Sequence, residues 1–291
     1  MKRKKLNRSF STFLLFYFYF LLYIMPFMKK EQLTALKTWF DKFVAGHYCD
    51  DDFINANIKI KYEHTKFVRE EMLYLADELK FNEHNRLLAE SIALLHDVGR
   101  FPQFVKYRTF NDPRSIDHCA LALEVIRGEN ILGDLPADEQ KSIETAVKYH
   151  GAKVLPHDLS GGTLLFSKMI RDADKIDIYR VVTQAYIQHR DDPDNFKLEI
   201  EFPDLPGYTP AILEGVLAGK LLEYRDLRCW NDMKLCVLGW VYDVNFPAAL
   251  KRIRHRGYLD LILTFLPDNN DTAKVRDKIF AYVDSRIRQS S

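Results

Sequence analysis

The sequence predicts an all-α protein. Past residue 28, apolar residues recur at helical spacing, as in Leu33, Leu36, Trp39, Phe40 and Phe43. Capping and breaking residues punctuate that pattern: Asn82, Asp117, Gly99, Gly128 and Gly151. No strong hairpin signal appears, and no internal repeat of roughly 20–50 residues is visible.

The periodicity places helices over residues 31–46, 63–80, 84–97, 116–128, 138–150, 163–189, 210–225, 233–254, 257–266 and 271–288. Asn82 opens the third of these, Asp117 or Ser115 the fourth, and Pro136 with Asp138 the fifth. Two segments read as loops. Residues 99–115 carry Arg100, Lys106, Arg108 and Arg114 with Phe101, Phe104, Tyr107 and Phe110; residues 190–209 are rich in Asp and Pro. Within the second, the alternating run LEIEF at 198–202 reads as a short strand or extended piece. The chain therefore divides into a leader (1–27), a helical core (28–190) and a helical extension packed on that core (191–291).

Hydrophobic residues make up 47% of the 291 positions and charged residues 29%, enough apolar material for a sizeable core. The net charge of +1 gives no support for binding a nucleic acid polymer. That balance is uneven. Lys2, Arg3, Lys4, Lys5 and Arg8 lie in the leader with no acid, and subtracting those five leaves −4 for residues 28–291. Residues 10–28 are uncharged and near the length of a membrane helix. A signal anchor and a cleaved signal peptide both remain open, though no A-x-A-like cleavage site follows. The favoured reading starts translation at Met28, which makes the protein cytoplasmic; the alternative is membrane anchorage through residues 10–28. Four cysteines, Cys49, Cys119, Cys229 and Cys236, form no CxxC pair and read as free, partly buried thiols.

One constellation carries chemistry. His64, the pair His96-Asp97, His118, His150 and Asp174 follow one another at separations of 32, 21, 32 and 24 residues. Each step is about one helix and a turn, so each group can come from a different helix of one bundle, where facing helices assemble metal sites. Imidazoles with carboxylates suit transition metals better than Ca²⁺. Adjacent His and Asp cannot face one way on a regular helix, but at a helix end before Gly99 both can turn to one ion. The preceding LLAESIALL is apolar, so both groups emerge from a buried segment and need partners.

The motif ALLHDVGRF, with an upstream His64, a downstream His and an Asp in RDADKID, resembles the HD superfamily of metal-dependent phosphohydrolases. FNDPRSIDHCALA is similar to a bacterial HD-domain subgroup with an extra histidine after the HD pair. The resemblance implies an HD-type helical bundle. It implies first-metal ligands at His64, His96, Asp97 and Asp174, and added ligands at His118 and His150 with Asp97 bridging. The cofactor would be one or two divalent transition-metal ions: Mn, Fe, Zn, Co or Ni. The substrate would be a small phosphorylated molecule, a nucleotide by preference, attacked by a metal-activated water. A single-metal site stays open, because His118 or His150 could instead contact substrate or serve as general acid.

Arg100 stands where many relatives carry Lys; it keeps the charge and adds bidentate reach toward phosphate. Together with Asp97, His118 and His150 it completes the expected catalytic set. Arg108 and Lys175 join it as expected substrate contacts, and Phe104, Tyr107 and Phe110 are candidates to stack on a base. The HHE and GYP motifs of cyclic-dinucleotide phosphodiesterases are absent, since Gly151 follows His150. HDVGRFPQF is faintly similar to deoxynucleotide triphosphohydrolases, without their remaining segments. Two other functions stay open: a non-catalytic nucleotide- or metal-sensing module, and a di-iron redox enzyme on the same fold. A homodimer is compatible with all of these.

Overall fold

The structure, a computed structural model, describes residues 27–195 and 202–289; among them the regular elements are helices, with no strand. The protein is all-α. The hydrophobic run at 10–28 lies, apart from its last two residues, outside the described residues, as does LEIEF up to residue 201. Among the described residues no helix is long and apolar enough to cross a membrane.

Helix α1 (Lys30–Ala45) buries Leu33, Leu36, Phe40 and Val44 along one stripe. Helix α2 (Asp52–Glu78) begins eleven residues before the expected position. Asp51 caps it, its carboxylate accepting from the Phe53 and Ile54 amides at 2.9 and 3.1 Å. Its first turns mix Asn and Lys with Ile54 and Ile58, which blurs the apolar stripe in sequence although both isoleucines are buried. Helix α3 (Glu83–Leu95) starts at Asn82, whose side chain accepts from the Asn85 amide at 2.9 Å. Its second half is buried without interruption from Leu88 to Leu95. Glu90 in that run is answered by Lys37 and Arg69 at 2.6 and 3.0 Å, and Ser91 by the Leu87 carbonyl.

The expected loop at 99–115 is in part a helix, α4 (Arg100–Tyr107). Pro102 does not prevent it, since it stands in the first turn, where its missing N–H would have had no helical partner. Phe101 and Phe104 anchor the helix in the core. Gly99 is required there: a Cβ would lie 2.2 Å from the His118 carbonyl oxygen and 2.6 Å from the Ala122 amide nitrogen. Helix α5 (His118–Gly128) is capped by Asp117, which accepts from the Cys119 and Ala120 amides. Helices α6 (Ala137–Tyr149) and α7 (Gly161–Asp191) complete the core, α7 packing on both α2 and α6.

In the extension, α8 (Pro210–Leu217) stops earlier than expected, at a turn where Gly219 takes φ +71°. The single helix expected over 233–254 is two: α9 (Trp230–Gly239) and α10 (Pro247–His255), separated by a 3-10 turn at Trp240–Asp243. The break has a local cause and a tertiary one: Pro247 cannot continue a helix from before it and so opens α10. The buried Asp172 carboxylate of α7 accepts from the Asn245 and Phe246 amides at 2.9 and 2.8 Å, so α7 caps α10. Helices α11 (Tyr258–Thr264) and α12 (Asn270–Arg288) follow. Glu71 of α2 is fully buried and pairs with Arg252 at 2.9 Å and with Arg256, while the Tyr179 hydroxyl of α7 donates to the Val237 carbonyl at 2.8 Å. These contacts bind the extension to α2 and α7.

Two backbone collisions make Gly99→Ala expensive. It should lower the unfolding free energy by about 3 kcal/mol, read from urea melts followed by far-ultraviolet dichroism.

Candidate metal centre

Five helices deliver the six residues. His64 lies midway along α2; His96 and Asp97 follow the end of α3; His118 opens α5; His150 ends α6; Asp174 lies in α7. The two neighbours His96 and Asp97 reach one place because regular helix stops at Leu95. The His96 amide still bonds Ile92, while the Asp97 carbonyl accepts from the Arg100 amide at 2.9 Å and opens the turn into α4.

Asp97 stands at the middle, 2% exposed. Its Oδ2 is 3.5 Å from His64 Nε2 and 3.6 Å from His96 Nε2. Its Oδ1 is 3.5 Å from His150 Nε2 and 3.7 Å from His118 Nε2. Asp174 Oδ1 closes the first side, 3.1 Å from His64 Nε2 and 3.8 Å from His96 Nε2.

The outer ring nitrogens are all held by acceptors. His64 Nδ1 donates to Asp177 at 2.7 Å, and Arg180 holds that carboxylate in turn. His96 and His150 donate to the Ala93 and Val147 carbonyls, each at 2.7 Å. His118 donates to Asp112 at 2.6 Å. Each Nδ1 therefore carries a proton, and each ring turns its Nε2 edge inward, where a neutral ring offers a lone pair. The lone pairs then face one another: His64 and His96 Nε2 are 3.3 Å apart, His118 and His150 Nε2 3.1 Å apart. With the oxygens of Asp97 and Asp174 this is a buried set of acceptors without enough donors, which fits a cation. Among the described residues, three-member groups spaced for one ion are His64, His96 and Asp174; His96, Asp97 and His150; His118, Cys119 and His150; and, more exposed, Asp112, Asp117 and His118.

The carboxylates and His96 accord with this, whereas, against the effect of burial, Asp174 and Asp177 raise His64 and Cys119 and Asp97 raise His150 above the ordinary imidazole range. Burial alone would raise the Asp97 carboxyl, but Lys61, His96, His150 and Arg100 outweigh it and hold the group well below its ordinary range. Burial acts likewise on Asp174, where His64 and His96 prevail. Burial drives His96 the other way, down to about 3, so its ring stays neutral. For Asp112, burial is overcome by His118 and Arg100, and the carboxyl falls to about 2.

Arg100 reaches the rim. Its Nη1 is held by the Phe110 carbonyl, Gln103 and Asp112 at 2.6, 2.8 and 2.8 Å, while Nε lies 3.6 Å from Asp97 Oδ1. Arg108 does not: it is half exposed and paired with Asp51 at the start of α2, because α4 carries it away from the cluster. Lys175 also points elsewhere, to Asp243 at 2.7 Å, one helical position round from Asp174. Phe104 is fully buried and unable to stack on a base; Phe110 is partly exposed and lies 5.4 Å from Lys61 Nζ.

Sequence reasoning missed three neighbours. Lys61 Nζ donates to Asp97 Oδ2 at 2.7 Å; it sits one turn before His64, in the part of α2 that was not expected to be helical. Asp112 orients His118, and Cys119 lies beside both His118 and His150. The only signal for Cys119 was its adjacency to His118.

This arrangement coincides with what comparison finds. Residues 62–179 match the family model of the HD domain, a stretch that contains every member of the cluster from His64 to Asp174. Over that stretch the chain is similar to HD domains. No curated protein matches the chain, and no solved structure does.

Because Asp97 serves both sides of the cluster, Asp97→Ala should weaken retention of transition metal by at least about 100-fold. Elemental analysis after dialysis against a graded chelator would measure it.

Proposed function

We propose that the protein is a metal-dependent phosphohydrolase acting on a small phosphorylated molecule, with a nucleotide as the preferred class. The observation that carries this reading is the Asp97 carboxylate placed between two inward-facing histidine pairs, which suits two adjacent ions. His64, His96, Asp97 and Asp174 would hold one ion; Asp97, His118 and His150 would hold a second. When bound, such ions polarise phosphoryl oxygens and ease the loss of a proton from water.

The chain's own side chains supply the rest. Arg100 is preset by three acceptors and presents a cationic edge at the rim, ready for a phosphate oxygen. Lys61 neutralises Asp97 and offers a second cation on a flexible stem. Phe110 walls the same rim, its ring 5.4 Å from Lys61 Nζ and 5.9 Å from the Arg100 guanidinium carbon. Asp177 and Asp112 keep the His64 and His118 rings in the tautomer that leaves Nε2 free. Four free cysteines suit a reducing compartment and support a cytoplasmic setting.

The test is phosphate release by protein loaded with Mn²⁺, Co²⁺, Zn²⁺ or Fe²⁺ across nucleoside mono-, di- and triphosphates and simple phosphate esters. Lys61→Ala and Arg100→Ala should each reduce kcat/KM by about 10- to 100-fold. Arg108→Ala, whose charge is spent on Asp51, should change it by less than about twofold. Loaded protein that turns over no member of the panel would overturn the proposal.

A further inference from the structure

The side of the centre formed by His118 and His150 contains a fourth donor that the HD pattern does not include. Cys119 is the second residue of α5, and Asp117 fixes its backbone through the amide at 2.8 Å. The thiol is buried, free of any disulfide, and directed into the cluster. Its Sγ is 3.4 Å from His118 Nε2, the lone-pair nitrogen that also lies 3.1 Å from His150 Nε2. Two ligands on one tetrahedral ion, with metal–nitrogen and metal–sulfur bonds of about 2.0 and 2.3 Å, lie about 3.5 Å apart. The sulfur therefore stands at ligand spacing from His118.

A second observation concerns the space around it. A Cβ on Gly151 would lie 3.3 Å from Sγ and 3.3 Å from His118 Cε1. Glycine after His150 thus keeps open the niche in which the sulfur and the imidazole meet. A thiol that merely filled core space would sit among apolar side chains; this one lies between two imidazoles, with His150 Nδ1 3.6 Å away.

We propose that Cys119 is a metal ligand on the His118–His150 side, giving that position two nitrogens, one sulfur and a carboxylate oxygen from Asp97. The inference rests on the metal-centre reading but not on the phosphohydrolase activity. On coordination the thiol gives its proton to solvent and binds as thiolate, with no change of oxidation state. Sulfur makes this side select zinc, cobalt or iron over manganese and magnesium, whereas the His64–Asp174 side has only nitrogen and oxygen donors.

The experiment is cobalt titration of the full chain, followed by absorption spectroscopy and elemental analysis. Wild-type protein should show a near-ultraviolet sulfur-to-cobalt charge-transfer band that grows with one equivalent of metal. Cys119→Ser should lose that band while keeping its weaker visible cobalt bands and its helical dichroism. It should also lower the preference of this side for Zn²⁺ over Mn²⁺ by at least about tenfold. Cobalt bound at two equivalents without the band, or a band unchanged in Cys119→Ser, would overturn the assignment and leave the metal centre standing. Cobalt bound at one equivalent without the band would overturn it too. Failure to bind cobalt at all would overturn both the assignment and the metal-centre reading.

Discussion

The Asp97 carboxylate uses both of its oxygens at once, one toward His64 and His96 and the other toward His118 and His150. Much else in the core serves that one placement. Helix α3 must stop at Leu95 so that two adjacent side chains can turn the same way. Residue 99 must be glycine so that α5 can approach within contact of the turn and bring His118. Carboxylates and carbonyls on the far side must fix every Nδ1, since a ring that rotated would put a proton where a lone pair is needed. A cluster of inward lone pairs is costly without a cation, and the surrounding core holds it in place.

The extension contributes to this centre from behind. Asp243, in the turn between α9 and α10, binds Lys175 and Arg171 at 2.7 Å each. Arg171 in turn donates to the His150 and Ala152 carbonyls, so the end of α6 is tied through α7 to the extension. Asp172, one residue on, holds the start of α10. The acidic stretch RDADKID thus faces three ways: Asp174 toward the cluster, Asp177 toward His64, and Arg171 and Asp172 toward the extension. Burial pushes the Asp172 carboxyl up to about 6, against the opposing pull of Asn245 and Phe246.

How much of this could be read from the chain differs by kind of signal. The apolar stripe of α1 and the caps at Asn82 and Asp117 are local, and the structure shows them. The start of α2 was obscured because Asn and Lys occupy its first turns, and this hid Lys61 from view beside Asp97. Cations and aromatics crowded at 99–115 made α4 read as a loop, although its Pro102 stands in the first turn, where proline costs a helix little. Charge alone misplaced Arg108 and Lys175: any loop cation near the motif looked able to reach phosphate, yet these two are spent on Asp51 and Asp243.

By itself the sequence determined the all-α class, the order H…HD…H…H…D and the chemical character of its donors, because periodicity, capping and residue type are properties of neighbouring residues. Tertiary structure alone decided which groups meet. Five helices must pack before His64, His96, His118, His150 and Asp174 gather around Asp97, and no local pattern records the rotation of each helix about its axis. The same packing joined an α7 carboxylate to the start of α10, where Pro247 had already broken the helix, and set the Cys119 sulfur between His118 and His150.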